Sequence, residues 1–418
     1  MEASQQRLRE DIEANARFGD IDAPAGRGRT VLTGSDADRR ARHYFVERLR
    51  DAGLSVRVDA VGNIAGRWVP EGADPDAAPV AAGSHLDSVP EGGIFDGPLG
   101  VYAALEAVRT LQERQADLAL DRPIDVVSFT EEEGARFSHG LLGSSVATGA
   151  RDADDALAFR DADGTTLDAH LDAIDFRGTD TIAAEEWDAW AELHIEQGTV
   201  LESAGAGVGV VDAITGITTC AADIVGEADH AGATPMDERR DALVAASEFV
   251  VEFRAAADDV AQNQSPTAVG TIGQFDVTPN ARNIVPGEVS LQMDIRDVDS
   301  RAMDAIAERA DAALDGVEAA HPVETEFDRY RDQRPSRMAD NCVAAAHAAA
   351  AAEDIDAERM HSAAMHDTAN VASVTDAVLL FAPSVDGLSH NPREWTDWAD
   401  CATAATVLAG TLARLASS

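Results

Sequence analysis

Short apolar runs that break off directly into histidine and carboxylate residues constrain the fold of this 418-residue chain more than any other feature. The runs at 80–84 and 124–130 are too short for buried helices, so they predict strands covered on both faces. A further run at 54–58 predicts another strand, and 100–112 and 140–149 carry helical spacing. Alternation of this kind predicts an α/β fold with a largely buried sheet, in which polar ligands gather where strands end. Ser84-His85-Leu86-Asp87-Ser88 and Thr130-Glu131-Glu132-Glu133-Gly134 both fall at such places.

From about Gly216 the rhythm changes. A strand at 218–225, a helix at 237–256, strands at 267–275 and 288–297, a helix at 300–314 and a strand at 324–329 make a βαββαβ set. Such a unit can form a small four-stranded sheet with two helices on one face. The α/β pattern returns after Arg334, with a strand at 377–382 and a last helix from about Trp398. The chain is too long for one ordinary core. The expected division is therefore one domain in two segments, 1–214 and 333–418, with a smaller domain, 215–332, inserted between them. The acidic, alanine-rich stretch 152–180 is expected to be surface rather than linker.

The charge balance excludes several classes of partner. Asp and Glu number 76 against 33 basic residues, a net charge of -43, and every basic residue is arginine. A surface this negative repels phosphate backbones and anionic lipid, so neither nucleic acid nor membrane is expected as a partner. The lysine-free acidic composition resembles that of proteins from salt-loving organisms, where ions screen self-repulsion. Three widely spaced cysteines, Cys220, Cys342 and Cys401, argue against a disulfide framework and fit a reducing interior. With no apolar signal segment and no long apolar run, the expected location is cytoplasmic.

The 11 histidines are unevenly placed, and that placement carries the chemistry. Residues 83–101 bring His85 and Asp96 together through a glycine-rich turn, with Asp87 two residues from His85, where its carboxylate is expected to accept the second ring N–H. Residues 130–137 put adjacent carboxylates after a strand. Their mutual repulsion is relieved if one binds a cation, which leaves the other free to move a proton. In Glu192-Leu193-His194-Ile195-Glu196, strand periodicity turns Glu192, His194 and Glu196 to one side. His390, after the strand near Leu380, adds one more imidazole. Histidine-rich half-sites sharing one carboxylate suit two ions about 3.5 Å apart. The assignment gives one ion His85, Asp96 and His194 and the other Asp96, Glu133 and His390, with Glu132 left as general base. Nitrogen and oxygen donors without cysteine suit zinc, manganese, cobalt or nickel.

The segments GSHLDSVPEGGIFDGPLGV, TEEEGARF, ELHIEQG, DHAGATPM, residues 280–296, MHDTAN and GLSHNPREW together resemble the amidase, hydantoinase and carbamoylase branch of the M20 metallopeptidase family. They occur in order from residue 83 to 395, so the resemblance spans most of the chain. It implies an aminopeptidase-like catalytic domain, a mixed sheet flanked by helices around two metals, with an inserted ferredoxin-like α+β dimerisation domain and hence a homodimer. His194 stands where true peptidases of the family usually place a carboxylate, which implies a ureido or amidine C–N bond rather than a peptide bond. The resemblance further implies that Arg296, Asn283, Gln197 and His366 bind substrate, and that His230 serves the oxyanion, with His230 and Asn283 reaching the partner subunit's site. The implied reaction is hydrolysis of a small N-carbamoyl (ureido) acid, with allantoate as the alternative substrate. An M20 aminopeptidase or dipeptidase and a catalytically silent metal-binding scaffold are the rivals.

Overall fold

The structure is a computed structural model and describes residues 1–417. The chain divides into two compact units, residues 1–212 with 337–418, and residues 213–336.

The first unit is built on a mixed sheet whose middle is parallel and whose flanks are antiparallel. Across it run Asp376–Ala382, Ala189–Ile195, Val80–His85 and Ile124–Phe129, all parallel. Beyond Ile124–Phe129 lie Ile64–Trp68 and Ser55–Val58, both antiparallel, and Val208–Ile214 pairs antiparallel on the other side of Asp376–Ala382. Val80–His85, Ile124–Phe129 and Ala189–Ile195 are buried at every residue, as strands covered on both faces must be. Helices Pro98–Arg114 and Trp398–Leu415 pack against each other and against the central strands. Pro98 is preset for a first helical turn, and Gly97 before it has φ +81, where a β-carbon would also lie 2.5 Å from the His85 ring. The start of the helix and the packing of the His85 ring thus meet at one residue.

Because the four middle strands are parallel, their carboxyl ends lie along one edge of the sheet. His85 ends the first, Glu131 to Glu133 follow the second, His194 is the next-to-last residue of the third, and His390 follows the fourth. Residues more than 300 positions apart in sequence are gathered by strand direction alone.

The second unit is a four-stranded antiparallel sheet in the order Val269–Thr278, Glu288–Asp297, Gly216–Val225, Glu324–Gln333, with helices Ala242–Asn263 and Ser300–Ala320. The chain order is strand, helix, strand, strand, helix, strand, a ferredoxin-like arrangement. Val289, Leu291, Met293 and Ile295 alternate inward and meet Phe249, Phe253, Met303 and Ile306 of the helices.

Several expected boundaries move. The helix expected over 237–256 starts at Ala242, because the Asp241 carboxylate caps Leu243 and Val244, and it continues to Asn263. The helix expected over 300–314 runs to Ala320. The strand at Ile64–Trp68 and the helices Asp36–Asp51 and Asp340–Ala352 were not anticipated. The acidic stretch 152–180 carries two short helices whose Leu157, Leu167 and Leu171 are buried. The three cysteines are free and buried, and among the described residues no helix is long and apolar enough to cross a membrane.

Gly83 lies on Val80–His85 opposite Val127, and a β-carbon there would sit 1.9 Å from the Val127 carbonyl oxygen. Gly83→Ala must push two central strands apart. It is expected to lower stability by about 1–3 kcal/mol, the usual cost of forcing a methyl group into a packed interior. A urea midpoint equal to that of the parent chain would show that the strands do not approach this closely.

Candidate metal centre

Asp96 sits at the centre of the site. Its Oδ1 lies 3.2 Å from His194 Nε2 and 3.5 Å from His85 Nε2, and its Oδ2 lies 3.6 Å from His390 Nε2. His390 Nε2 is also 3.3 Å from Glu133 Oε2, and Glu132 Oε2 is 3.7 Å from His85 Nε2. Three overlapping donor groups follow: His85, Asp96 and His194; Asp96, Glu133 and His390; and His85, Glu132 and Glu133. In each, the donor atoms lie within 4.8 Å of one another.

Two of the imidazoles are oriented by their own neighbourhood. His85 Nδ1 donates to the Asp87 carbonyl at 3.1 Å and His194 Nδ1 to the Ile195 carbonyl at 3.0 Å. A carbonyl can only accept, so a proton sits on Nδ1 of each ring, and Nε2, turned toward Asp96, is the nitrogen left for a proton or a cation. This corrects the role expected for the Asp87 carboxylate. It stands 3.7 Å from His85 Nδ1 and instead accepts the backbone N–H groups of Glu132 and Glu133, at 3.2 and 3.1 Å. Asp87 therefore ties two segments together, the ring through its main chain and the glutamates through its side chain.

The acidic triplet divides its work. Glu131, at φ +55, turns into the interior, where its Oε1 accepts from the backbone N–H groups of Arg136 and Phe137 and closes the loop. Glu132 and Glu133 are left at the rim, and Glu133 Oε1 also takes the Val89 N–H at 3.4 Å. Glu192 shares a side of its strand with His194 but is no donor to the site. It is fully buried and bound by Ser84 and Thr368. Gln197 donates to Asp96 Oδ2 at 3.0 Å, and its Oε1 is buried with no partner. His366 packs edge-on against His194 at 4.6 Å and meets Ser362 Oγ at 3.1 Å.

Three of the expected residues belong to the second unit. His230 is exposed, and its Nδ1 accepts the N–H groups of Gly232 and Ala233, which leaves the ring proton on Nε2. Asn283 is exposed and accepts the Ala231 N–H through its carbonyl, so the two residues share one patch. Arg296 is held side-on by Asp294, at 2.7 and 3.2 Å.

Other residues of the centre went unread in the sequence. Glu394 is buried and accepts from the backbone N–H groups of Phe95 and Asp96. Arg29 is fully buried and donates to the carbonyls of Asp87, Gly93 and Asp96. Asp367 is fully buried, close to Glu192 and Ser144.

The electrostatics show what the donor set lacks. Burial, reinforced by Glu133, Asp367 and Asp87 against the pull of His85, holds the Glu132 carboxyl well above the usual range. Burial and Asp87 push Glu131 up to about 7, burial and Asp96 push Glu394 up to about 7, and burial and Glu192 push Asp367 up to about 8. The hydrogen bond to Glu133 raises His390 to about 9. Burial would lower His85, but Glu132, Asp96, Asp87 and Glu133 outweigh it and hold it well above its ordinary value. Asp96 goes the other way, since His194 and His85 outweigh its burial. His366, buried beside His194, is held well below the ordinary histidine value and stays neutral. Protons are retained wherever they can offset negative charge. Divalent cations offset it more strongly, and nitrogen and oxygen donors at these distances fit them.

The peptidase family M20/M25/M40 profile matches residues 81–414. The chain is 37% identical over 406 residues to an N-carbamoyl-L-amino acid amidohydrolase of Geobacillus stearothermophilus, covering 96% of each. It is 33% identical to an allantoate amidohydrolase of Escherichia coli K12, covering 94% of each. A ureidoglycolate hydrolase of Arabidopsis thaliana is 32% identical, with 98% of this chain and 86% of that one covered. Among solved structures, an amidohydrolase/peptidase from Burkholderia cenocepacia, titled as putative, superposes with a TM-score of 0.90 at 34% identity over 100% of both chains.

A pH dependence follows from the raised groups. Glu131, Glu394 and Asp367 bind protons more tightly folded than unfolded. The ion-free protein therefore loses stability as pH rises from their ordinary values, 4.5 for Glu and 3.8 for Asp, through about 7 to 8. His390 acts in the same sense: its contribution is complete below 6.5 and lost as pH rises through about 9. Thermal midpoints in excess chelator at fixed high salt are expected to fall between pH 5 and 8.5. With saturating zinc the fall should shrink or reverse, because ions bind the deprotonated donors. Parallel curves with and without zinc would refute this account.

Proposed function

This chain belongs to peptidase family M20/M25/M40, and from that premise we propose that it hydrolyses the non-peptide C–N bond of a small ureido acid. The preferred substrate is an N-carbamoyl-L-amino acid, which one water converts to amino acid, carbon dioxide and ammonia. The observation that carries this reading is the pair of donor groups meeting at Asp96, with Glu132 beside them and an imidazole, His194, on the buried side.

In this reading two divalent ions, zinc, manganese, cobalt or nickel, are held by His85, Asp96 and His194 and by Asp96, Glu133 and His390. When bound they polarise the ureido carbonyl and lower the pKa of water at the site. Glu132 takes a proton from the attacking water and returns it to the leaving nitrogen, a task suited to a carboxyl whose proton affinity burial has raised. The unpaired Gln197 Oε1 is an acceptor for a ureido N–H. His230, with its ring proton fixed on Nε2, is a donor for the oxyanion of the tetrahedral state, and Asn283 beside it is a second. We assign these two to the partner subunit's site in a homodimer formed by the second unit. Arg296 grips the substrate carboxylate through parallel hydrogen bonds, and the neutral His366 lines the site behind His194. Allantoate carries the same ureido carbon and carboxylate and is the second reading, favoured by the relative of that activity.

Ammonia release from N-carbamoyl-L-amino acids, N-carbamoyl-β-alanine, allantoate and ureidoglycolate, alongside dipeptide cleavage, tests the class in high salt with manganese or cobalt. A ureido acid is expected to be turned over faster than any dipeptide, and the reverse order would replace this reading by a peptidase. Glu132→Gln is expected to lower kcat by about 10²–10⁴-fold, the usual worth of a positioned proton-transfer group, while bound metal stays unchanged. Arg296→Ala removes a charge-assisted contact worth about 1.5–3 kcal/mol and should raise KM by about 10- to 100-fold. An unchanged KM would place the carboxylate elsewhere.

A further inference from the structure

The half-sites that meet at Asp96 are not anchored alike. His85 and His194 are each fixed by a carbonyl within two residues, in strands buried at every position. His390 lies in a loop at φ +53 with its side chain 53% exposed, the least enclosed of the donors. What ties that loop to Asp96 is Glu394, four residues on.

Glu394 is 2% exposed, and its Oε1 accepts the N–H groups of both Phe95 and Asp96, at 2.9 and 3.0 Å. Its own N–H closes the turn onto the Asn391 carbonyl at 2.9 Å, so its side chain and main chain bolt the His390 turn to the Asp96 loop. Its Oε2 lies 3.3 Å from Ser389 Oγ, and that hydroxyl donates to Asp96 Oδ2 at 2.7 Å, the oxygen that faces His390. One buried carboxyl group therefore sets both the separation of the two segments and the direction of the shared oxygen. Neither His85 nor His194 takes its ring hydrogen bond from it.

We infer that Glu394, acting with Ser389, is the positioning residue of the Asp96, Glu133 and His390 half-site, and that its loss weakens ion binding there while the His85, Asp96 and His194 half-site keeps its affinity. The inference rests on the two-ion reading above. Removing partners that orient ligands ordinarily weakens metal binding by about 10- to 100-fold. Here the geometry confines that loss to one of two ions. The amide of Glu394→Gln keeps an acceptor for the two N–H groups and offers a donor to Ser389 Oγ, so it preserves the arrangement that alanine destroys.

The test is metal content and affinity of the full-length chain loaded with zinc and titrated with a competing chelator, together with melting of the ion-free protein. The parent chain is expected to bind two zinc ions. Glu394→Ala should retain one at parental affinity and bind the second about 10- to 100-fold more weakly, while Glu394→Gln holds both. Similar ion-free melting of Glu394→Ala and the parent would separate positioning from a general structural loss. If Glu394→Ala does not fold, Ser389→Ala carries the same test, since it deletes only the hydroxyl at Asp96 Oδ2 and should weaken only the second ion. Two ions held by the tested variant at parental affinity, or both weakened together, would overturn the inference while leaving the two-ion reading intact. Fewer than two ions on the parent chain would defeat that reading and this inference with it.

Discussion

The shared carboxylate of Asp96 is the constraint to which the rest of the centre conforms. One oxygen faces His85 and His194 and the other faces His390, so a single plane must serve donors from three strands and loops. A carboxylate free to rotate could not do this. Its position is set from every side: the main-chain N–H by Glu394, the main-chain carbonyl by Arg29, and Oδ2 by Ser389 and Gln197. These partners are recruited because four parallel strands end along one edge, so the fold's contribution to chemistry is chiefly the direction of its strands.

The centre also concentrates backbone strain. Glu131, Gln197 and His390 all adopt positive φ, a conformation that costs a non-glycine residue about 1 kcal/mol or more and persists only where the surroundings enforce it. Enforcement is visible for each. Glu131 is locked by two backbone N–H groups, Gln197 by Asp96 and Ser389, and His390 by Glu133 and the turn that Glu394 closes. Glu131 and Gln197 each stand two residues beyond a strand end, where the chain turns away sharply, whereas His390 lies further along its loop, after the turn Val385–Gly387.

What the sequence disclosed was periodic or chemically rare. Val80–His85 and Ile124–Phe129 were legible because continuous apolar runs admit few readings. His85 and His194 were legible because histidine is scarce in this chain. Carboxylates carry no such contrast among 76 acidic residues, and that is why Glu394 and Asp367 were invisible although they sit beside residues that were picked out. In the triplet 131–133 the sequence assigned Glu133 to an ion and Glu132 to proton transfer, but the part Glu131 plays, turning inward to close the loop, was not legible. Asp87 is the instructive case. Its spacing from His85 was right, but the hydrogen bond is made by its carbonyl, and main-chain donors and acceptors leave no trace in residue identity. Arg29 acts wholly through carbonyls and was hidden for the same reason.

The acidic surface and the acidic centre pose different electrostatic problems. Exposed carboxylates repel through solvent, and at about 1 M salt the screening length is about 3 Å, so monovalent ions quench most of a net charge of -43 without binding anywhere in particular. Glu131, Glu394 and Asp367 are buried, with little room for a screening atmosphere, so the same salt leaves their repulsion nearly intact. Within the protein that repulsion is relieved only by a proton or by a cation at defined donors. Bulk salt and an ion held at the donors would therefore act on this chain through separate terms, one set by ionic strength and the other by occupancy and pH. Raising one does not substitute for the other.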